Sequence, residues 1–134
     1  ASVVHCPCSN AWFAHGEAPV AAYRRAGIAV GLGTDSIASN TQVRIAVEAQ
    51  HIADRSLGVA DRIAMATAGG AEALGLADRI GTLRVGMEAD LAAFPIMDAV
   101  AADRDPETYL VHAAWHRPAR LVMIAGRDRT VHAP

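Results

Sequence analysis

Residues 30–40 read VGLGTDSIASN, and this stretch decides the fold class of the 134-residue chain. A short apolar run that ends in Gly33 and Thr34 predicts a strand buried on both faces, as in a parallel sheet. The run delivers Asp35 at its C-terminal tip, which is where parallel α/β folds place catalytic groups. A buried carboxylate without a partner is costly. Asp35 is therefore the first candidate site residue.

A similar strand precedes this one. Residues 2–7 (SVVHCP) form a short apolar run that ends in polar groups, and Ser9 and Asn10 are predicted to lie in the loop that follows. A helix is then predicted, with Pro19 in its first turn and Gly27 just after its end. The order strand, helix, strand predicts an α/β fold with a right-handed parallel crossover.

Periodicity and turn residues predict the remaining elements. They are helices over residues 41–56, 59–68, 71–76 and 106–114, strands over 89–94, 120–124 and 129–132, and a polar connector over 98–106. We expect Asn40 or Thr41 to cap the first of these helices and Asp105 to cap the last. The break between the second and third helices is expected at Gly69-Gly70, and residues 125–128 are expected to form a hairpin turn.

These motifs resemble the amidohydrolase superfamily of metal-dependent hydrolases. The most similar branch contains chlorohydrolases, cytosine and guanine deaminases, and methylthioadenosine or adenosylhomocysteine deaminases. Residues 5–10 (HCPCSN) look like the strand-seven motif of that branch, residues 18–20 like the following helix start, and residues 33–40 like its strand-eight motif. The resemblance continues through residues 64–91 and is weak only over residues 98–118.

The resemblance implies an α/β fold that comprises the last two strand-helix units of a TIM (β/α)8 barrel plus C-terminal strands of the family's small β-sandwich domain. The implied boundary separates residues 1–78, with strands seven and eight and their helices, from residues 79–134. A whole barrel takes roughly 250 residues, and the sequence has no His-x-His pair for the family's metal centre. We therefore expect the C-terminal portion of an enzyme, inactive in isolation.

The resemblance also implies a reaction. The intact enzyme would hydrolyse a C–N or C–Cl bond at a ring carbon of an aminated purine, pyrimidine or triazine, and deamination, dechlorination and ring opening all stay open. Asp35 would be a metal ligand or near-ligand that takes a proton from metal-activated water and passes it to the leaving group. The implied cofactor is one divalent ion, zinc or iron, held only in the intact enzyme. Without the resemblance, a helix-capping or loop role is the commoner fate of an Asp beside Ser and Thr.

Five further residues are expected to bind substrate. His5 would line the pocket or support it from behind, although a histidine at a strand end can also be a hydrogen-bonded structural residue. The others, Ser9, Asn10, Ser36 and Ser39, belong to the loops above the strands, where barrel pockets form. Turn and cap chemistry is the alternative role for these four residues.

Two other patterns are weaker metal candidates. Cys6 and Cys8 lack a second cluster of ligands, so we expect reduced thiols in a cytoplasmic protein. His112 and His116 lie four positions apart on a predicted helix, which would place them on one face. They lack an acidic partner of the His-Glu-x-x-His kind, so neither pattern predicts a metal site.

The net charge of the chain limits the classes of binding partner that we expect. The formal net charge is −2, the pI is near 6.3 and lysine is absent, so neither nucleic acid nor a membrane surface is expected. No apolar run reaches the roughly 18 residues of a membrane span. The expected partners are a small-molecule substrate, the missing N-terminal barrel portion or another chain, and a second copy in a homo-oligomer. The alternative function is a non-catalytic association module that pairs its open strand edge, or an inactive truncated product.

Overall fold

The computed structural model describes residues 1–131. The elements are β1 (Ser2–His5), α1 (Pro7–Trp12), α2 (Val20–Arg25), β2 (Ala29–Leu32), α3 (Ile45–His51), α4 (Val59–Ala66), α5 (Ala68–Ala73), β3 (Leu91–Ala93), α6 (Ala99–Arg104), α7 (Pro106–His112), a 3₁₀ turn (Ala114–His116), β4 (Leu121–Ile124) and β5 (Arg127–Asp128). The strands form a two-stranded and a three-stranded sheet. The predicted α/β class is confirmed. None of the helices within residues 1–131 has the length and apolarity needed to cross a membrane.

The first sheet has the predicted parallel order. Strand β1 pairs with β2 in a register that sets Val3 opposite Val30, and the Gly33 amide continues the ladder by donating to the His5 carbonyl at 2.9 Å. Because the strands are parallel, their carboxyl ends meet at the same edge. The segments that follow His5 and Gly33 are therefore neighbours.

Helix α1 occupies the segment predicted to be a loop. Pro7 fills a first-turn position of this helix, where no backbone donor is needed and the proline φ suits the helix. The chain therefore turns directly from strand into helix, and the loop prediction for Ser9 and Asn10 is wrong. The helix buries Ser9, which is 6% exposed.

Helix α3 is shorter than predicted at both ends. Residues 41–44 are not helical, because the Asn40 side-chain oxygen accepts hydrogen bonds from the Gln42 and Val43 amides, both at 3.2 Å, and shapes a loop. Arg44 is the N-cap residue, with φ −130° and ψ 123°. After His51 the chain turns extended at Ile52, where ψ is 114°. The predicted start at Asn40 or Thr41 is therefore wrong.

The break between α4 and α5 falls at Thr67, with φ −128° and ψ −97°, rather than at Gly69-Gly70. Both glycines are inside α5, which packs on β2. A Cβ built on Gly69 would lie 2.6 Å from the Val30 carbonyl oxygen, and one built on Gly31 would lie 2.9 Å from the Gly70 Cα. These glycines permit close backbone contact between helix and strand.

The second sheet has the order β3-β4-β5, and both pairs are antiparallel. Strands β3 and β4 lie inside their predicted ranges. Ala125 and Gly126 have φ values of 49° and 71°, so they form a tight turn and the chain re-enters the sheet at β5. Residues 127 and 128, predicted as part of the turn, form β5, and residues 129–131 are not strand. The strand predicted at 129–132 is therefore wrong over residues 129–131, and residue 132 lies outside the described residues.

Two capped helices precede β4. Helix α6 lies where a polar connector was predicted, because the Asp98 carboxylate accepts the Ala101 amide at 3.0 Å and starts a helical turn. Asp105 caps α7 as predicted and accepts the Thr108 amide at 3.1 Å. Short Asp side chains at such positions satisfy amides that have no helical partner.

The main apolar core lies around β2. Its buried members are Val20, Val30, Ile52, Leu57 and Met65. These residues come from α2, β2, α4 and the segment between α3 and α4. The core therefore holds the strand that delivers Asp35.

Candidate active site

Asp35 lies three residues beyond the end of β2, and its backbone has a φ of 55°. This left-handed conformation is uncommon outside glycine, and Asp is one of the few residue types that adopts it readily. The residue is exposed. The chain therefore turns sharply at the tip of the strand and presents this carboxylate at the sheet edge.

Two hydroxyl groups hold the Asp35 carboxylate. Ser9 Oγ donates to Asp35 Oδ2 at 2.6 Å, and Ser39 Oγ donates to the same oxygen at 3.0 Å. Hydrogen bonds to a carboxylate favour its charged form, so Ser9 first and Ser39 second lower the pKa of Asp35 from its ordinary 3.8. At neutral pH the group is an anion, and both hydroxyls donate to the same oxygen of it.

An open cleft of about 390 Å³ adjoins Asp35. His5, Ser9, Asn10 and Phe13 are among its lining residues. His5 is 7% exposed, and burial lowers its pKa below 6.5, so its imidazole is mainly neutral at pH 7 and can both donate and accept a hydrogen bond. The cleft therefore combines one anion with neutral polar groups.

A second cavity of about 430 Å³ shares His5 and Asn10 but extends toward Asp54 and does not include Asp35. The Asp54 carboxylate already accepts hydrogen bonds from the Ser56 hydroxyl at 2.6 Å and from the Ser56 amide at 3.0 Å. Its acidic group therefore closes a local turn. The cleft beside Asp35 is the better candidate for chemistry.

The structure brings together five of the six residues predicted from sequence. Asp35, Ser9 and Ser39 form one hydrogen-bonded group, and His5 and Asn10 line the cleft next to it. The sixth, Ser36, is exposed and contributes its backbone: its carbonyl accepts the Asn40 amide at 3.0 Å. Substrate binding by these residues stays a prediction.

Sequence reasoning missed Glu48. This residue of α3 is 0% exposed; its Oε2 accepts the Cys8 amide at 2.9 Å, and its Oε1 accepts a hydrogen bond from Asn40 Nδ2. One signal could have found it. Glu48 is the lone acid in the apolar run IAVEA at residues 45–49, and a charge within an inward-facing helix stripe needs internal partners.

Cys6 and Cys8 are both free thiols. Burial first, and then the negative charge of Glu48, raise the pKa of Cys8 to about 11. The pKa of Cys6 is also raised, chiefly by burial. Both side chains are therefore protonated thiols at neutral pH.

A divalent metal ion fits this site only in part. Carboxylate oxygen is an ordinary zinc ligand, and Asp35 is an exposed carboxylate at the edge of the sheet. Within residues 1–131, however, no group of three or more His, Cys, Asp or Glu side chains could hold a metal ion. His116 Nε2 instead lies 3.1 Å from the Val111 carbonyl and 2.6 Å from Gln50 Nε2. Any further ligands have to come from outside this part of the chain.

Several known proteins are similar to this chain. A 5-methylthioadenosine/S-adenosylhomocysteine deaminase from Halobacterium salinarum is 41% identical over 146 aligned positions, which cover 98% of this chain and 33% of the relative. One from Teredinibacter turnerae is 35% identical, with coverage of 96% and 31%. This chain therefore spans about a third of the length of these curated relatives.

Solved structures of known enzymes are also similar to this chain. A zinc-bound adenosine deaminase from Xanthomonas campestris superposes with a TM-score of 0.82 at 37% identity and covers 97% of this chain and 32% of its own. A mutant atrazine chlorohydrolase from Arthrobacter aurescens, complexed with zinc and atraton, gives a TM-score of 0.75 at 32% identity, with coverage of 95% and 30%. Residues 1–127 match the model of the amidohydrolase family. This chain belongs to the amidohydrolase family.

Proposed function

We propose that this chain is the C-terminal part of a metal-dependent amidohydrolase that hydrolyses a C–N bond, or a C–Cl bond, at a ring carbon of an aminated purine, pyrimidine or triazine-like substrate. Residues 1–78 would supply the last two strand-helix units of a TIM barrel, and residues 79–134 the C-terminal strands of the small β domain. The observation that carries the proposal is the Asp35 carboxylate, oriented by two serines at the tip of a parallel strand beside an open cleft.

Asp35 has the properties of a proton shuttle. It is exposed at the cleft, and its lowered pKa keeps it ionised at neutral pH, so it can accept a proton at Oδ1 while Ser9 and Ser39 continue to hold Oδ2. The protonated acid can then deliver that proton to the amino group, which leaves as ammonia. Chloride would leave as the anion and take up no proton, so in that reaction the proton would pass to solvent. A bound zinc ion, or alternatively iron, would lower the pKa of a water molecule and so supply the nucleophile.

The other cleft residues suit substrate binding. Neutral His5 and the Asn10 amide can each donate and accept hydrogen bonds, which matches the mixed donors and acceptors on the edge of an aminated heterocycle. Phe13 lies at the same cleft, 5.4 Å from His15 between ring centroids, and offers an aromatic face. We include Ser36 as a further contact because its loop borders Asp35. Ser39 is 5% exposed and its hydroxyl already donates to Asp35, so we propose that it acts through that carboxylate.

The rest of the barrel would come from an N-terminal portion or another chain, and it would supply the remaining metal ligands. We propose a homo-oligomer as the working assembly. We also propose a cytoplasmic location, because Cys6 and Cys8 are free thiols. The 41% identical relative from Halobacterium salinarum is named as a 5-methylthioadenosine/S-adenosylhomocysteine deaminase, so thioether adenosines are the first substrates to test.

The direct test is a chimera that joins the N-terminal two thirds of the Halobacterium salinarum relative to this chain. Zinc content and release of ammonia or chloride are measured with 5-methylthioadenosine, cytosine, guanine and a chlorotriazine. Asp35→Asn should lower kcat by about 10²- to 10⁴-fold, whereas Asp103→Asn, at an exposed position of α6, should change nothing. A folded, zinc-loaded chimera that retains its activity after Asp35→Asn would exclude the proposed role.

A second candidate function is a non-catalytic association module. It is favoured by exposed apolar side chains near the parallel sheet, with Val4 54%, Trp12 67% and Ile37 77% exposed, and by β1 and β2, which pair only with each other within residues 1–131. The same chimera separates the two functions, since an association module should give a folded chimera that is inactive both before and after Asp35→Asn.

A further inference from the structure

Glu48 is a fully buried carboxylate that the proposed chemistry does not use. It is 0% exposed on α3, although a buried charge is costly unless it is paired and hydrogen-bonded. We infer that Glu48 is a positioning residue for Asp35, because it fixes the two chain segments whose serines hold that carboxylate. This inference rests on the proposed role of Asp35 in the reaction.

The first segment is the start of α1. Glu48 Oε2 accepts the Cys8 amide at 2.9 Å across 40 residues of sequence. Cys8 is the second residue of this helix, and amides in a first helical turn have no partner within the helix. The next residue, Ser9, donates to Asp35 Oδ2 at 2.6 Å. Glu48 is thus one residue removed from the shorter hydrogen bond to Asp35.

The second segment is the loop that contains Asp35 itself. Glu48 Oε1 accepts a hydrogen bond from Asn40 Nδ2, which also donates to the Thr34 carbonyl at 3.3 Å. Thr34 directly precedes Asp35, and Ser39, the second donor to Asp35 Oδ2, directly precedes Asn40. Asn40 is 5% exposed and Ser39 is also 5% exposed, so both are enclosed with Glu48.

The two segments converge on one atom. Both serines donate to Oδ2, so the direction of Oδ1 depends on the relative placement of α1 and the Asp35 loop. Glu48 contacts both segments and sets that placement. Misplacement of a reacting group by a fraction of an ångström is enough to slow a reaction. An apolar residue at position 48 would fill the space but leave the Cys8 amide without its acceptor and Asn40 Nδ2 with the Thr34 carbonyl as its remaining acceptor.

Glu48→Gln is the informative substitution, because the shape is kept while one carboxylate oxygen becomes an amide donor. That donor must face either the Cys8 amide or Asn40 Nδ2, which are donors themselves. Its matched control is Glu72→Gln, on the exposed surface of α5. The compensating variant is Glu48→Gln with Asn40→Asp. In this double variant the amide introduced at position 48 can donate to the new carboxylate at position 40, and its oxygen can still accept the Cys8 amide.

Hydrogen exchange of the 134-residue chain gives a readout that does not depend on catalysis. In Glu48→Gln, peptides covering residues 6–12 and 33–44 should exchange about tenfold faster, while residues 59–66 of α4 keep the protection they have in the wild type. The compensating variant should restore protection to residues 6–12. Glu72→Gln should change none of these peptides.

Kinetics of the zinc-loaded chimera give the second readout. Glu48→Gln should lower kcat by about 10- to 100-fold with KM changed little, because Asp35 is displaced while the substrate contacts remain. The compensating variant should recover part of kcat. A purely structural Glu48 would instead lower the fraction of folded enzyme and leave kcat per folded site unchanged.

The combined readouts separate the inference from the proposed function. Unchanged exchange in residues 6–12 and 33–44 overturns the inference, and so does a uniform loss of protection that the compensating variant does not repair. If exchange rises only in residues 6–12 and 33–44 but the wild-type chimera is inactive, Glu48 still positions Asp35 and the proposed function is wrong. If the chimera is active and Glu48→Gln changes neither its kcat nor the hydrogen exchange, the inference about Glu48 is wrong and the proposed function still stands.

Discussion

Ser9 donates its hydroxyl hydrogen to Asp35 at 2.6 Å, although the two residues are 26 positions apart in sequence. The contact joins the segment after β1 to the segment after β2, and it exists because parallel pairing brings both carboxyl ends to one edge. A second serine, Ser39, donates to the same carboxylate oxygen at 3.0 Å. The acid is therefore held from both neighbouring segments.

Ser9→Ala should raise the pKa of Asp35 toward its ordinary 3.8, because it removes the largest of the hydrogen-bond effects that lower this pKa. A carboxyl whose pKa is lowered by folding stabilises the fold above its unfolded pKa, and that contribution is lost as pH falls through the folded pKa. Carbon-13 NMR titration of the carboxyl measures the change. Asp61, whose pKa is lowered chiefly by Arg24, is the internal control, and an unchanged Asp35 pKa would contradict the geometry.

Cys8 should react slowly with alkylating reagents at pH 8, since burial and Glu48 raise its pKa to about 11 and the thiolate is the reactive form. The rate should climb as pH rises toward that value. A raised thiol pKa stabilises the fold below its unfolded value near 9.0, and the contribution is lost as pH rises toward 11. Mass spectrometry of alkylated peptides follows the rate, with denatured protein as the control. Equal rates in folded and denatured protein would contradict the structure.

Gly69→Ala should destabilise the chain by about 1–3 kcal/mol, the usual cost of overpacking, because the new Cβ would lie 2.6 Å from the Val30 carbonyl oxygen. The neighbouring Gly70→Ala is the matched control. Its Cβ would meet the Met65 carbonyl oxygen at 3.4 Å, so a gain of up to about 1 kcal/mol in helix propensity can emerge. Urea unfolding measures both, and equal effects would show that α5 does not approach β2 so closely.

Met65→Ala should cost about 2–5 kcal/mol of unfolding free energy, since this side chain is 1% exposed in the core around β2. Leu83→Ala removes a side chain that is 83% exposed and should change the unfolding free energy by less than about 0.5 kcal/mol. Thermal or urea unfolding monitored by circular dichroism gives both values. Similar losses for the two variants would mean that the core is assigned wrongly.

The chain alone should self-associate. Within residues 1–131, β1 and β2 have no further strand partners, and open edges with exposed apolar neighbours such as Trp12 and Ile37 favour pairing with other chains. Light scattering after size exclusion should give a mass above 14.0 kDa that rises with concentration. A monodisperse monomer that unfolds cooperatively would show that these edges need no cover.

The sequence predicted the parallel pair, the position of Asp35 and the cap at Asp105, because each depends on local pattern. It missed the length of α3, since Asn40 uses its side chain to shape a loop rather than to cap a helix. It also misread Gly69-Gly70 as a helix break. Those glycines are needed because α5 packs closely against strand β2. No local sequence pattern reveals a contact that forms only in the folded chain.

In the candidate site, too, residues marked by a local pattern were predicted and long-range contacts were missed. His5, Ser9, Asn10 and Asp35 could be named from sequence because they follow strand ends. Glu48 could not be paired with Cys8 and Asn40, because the contact with Cys8 spans 40 residues and depends on how α3 packs against α1. A lone acid in an apolar helix stripe signals that a buried partner exists but does not identify it.

The φ of 55° at Asp35 restricts which residue types this position accepts. Glycine, asparagine and aspartate adopt the left-handed backbone most readily, whereas most other residues adopt it at a larger energetic cost. Among these three only aspartate carries a charge. Natural variants of this chain that keep the loop and lose the acid should therefore most often carry asparagine or glycine at position 35, and that one substitution would mark variants without the proposed proton shuttle.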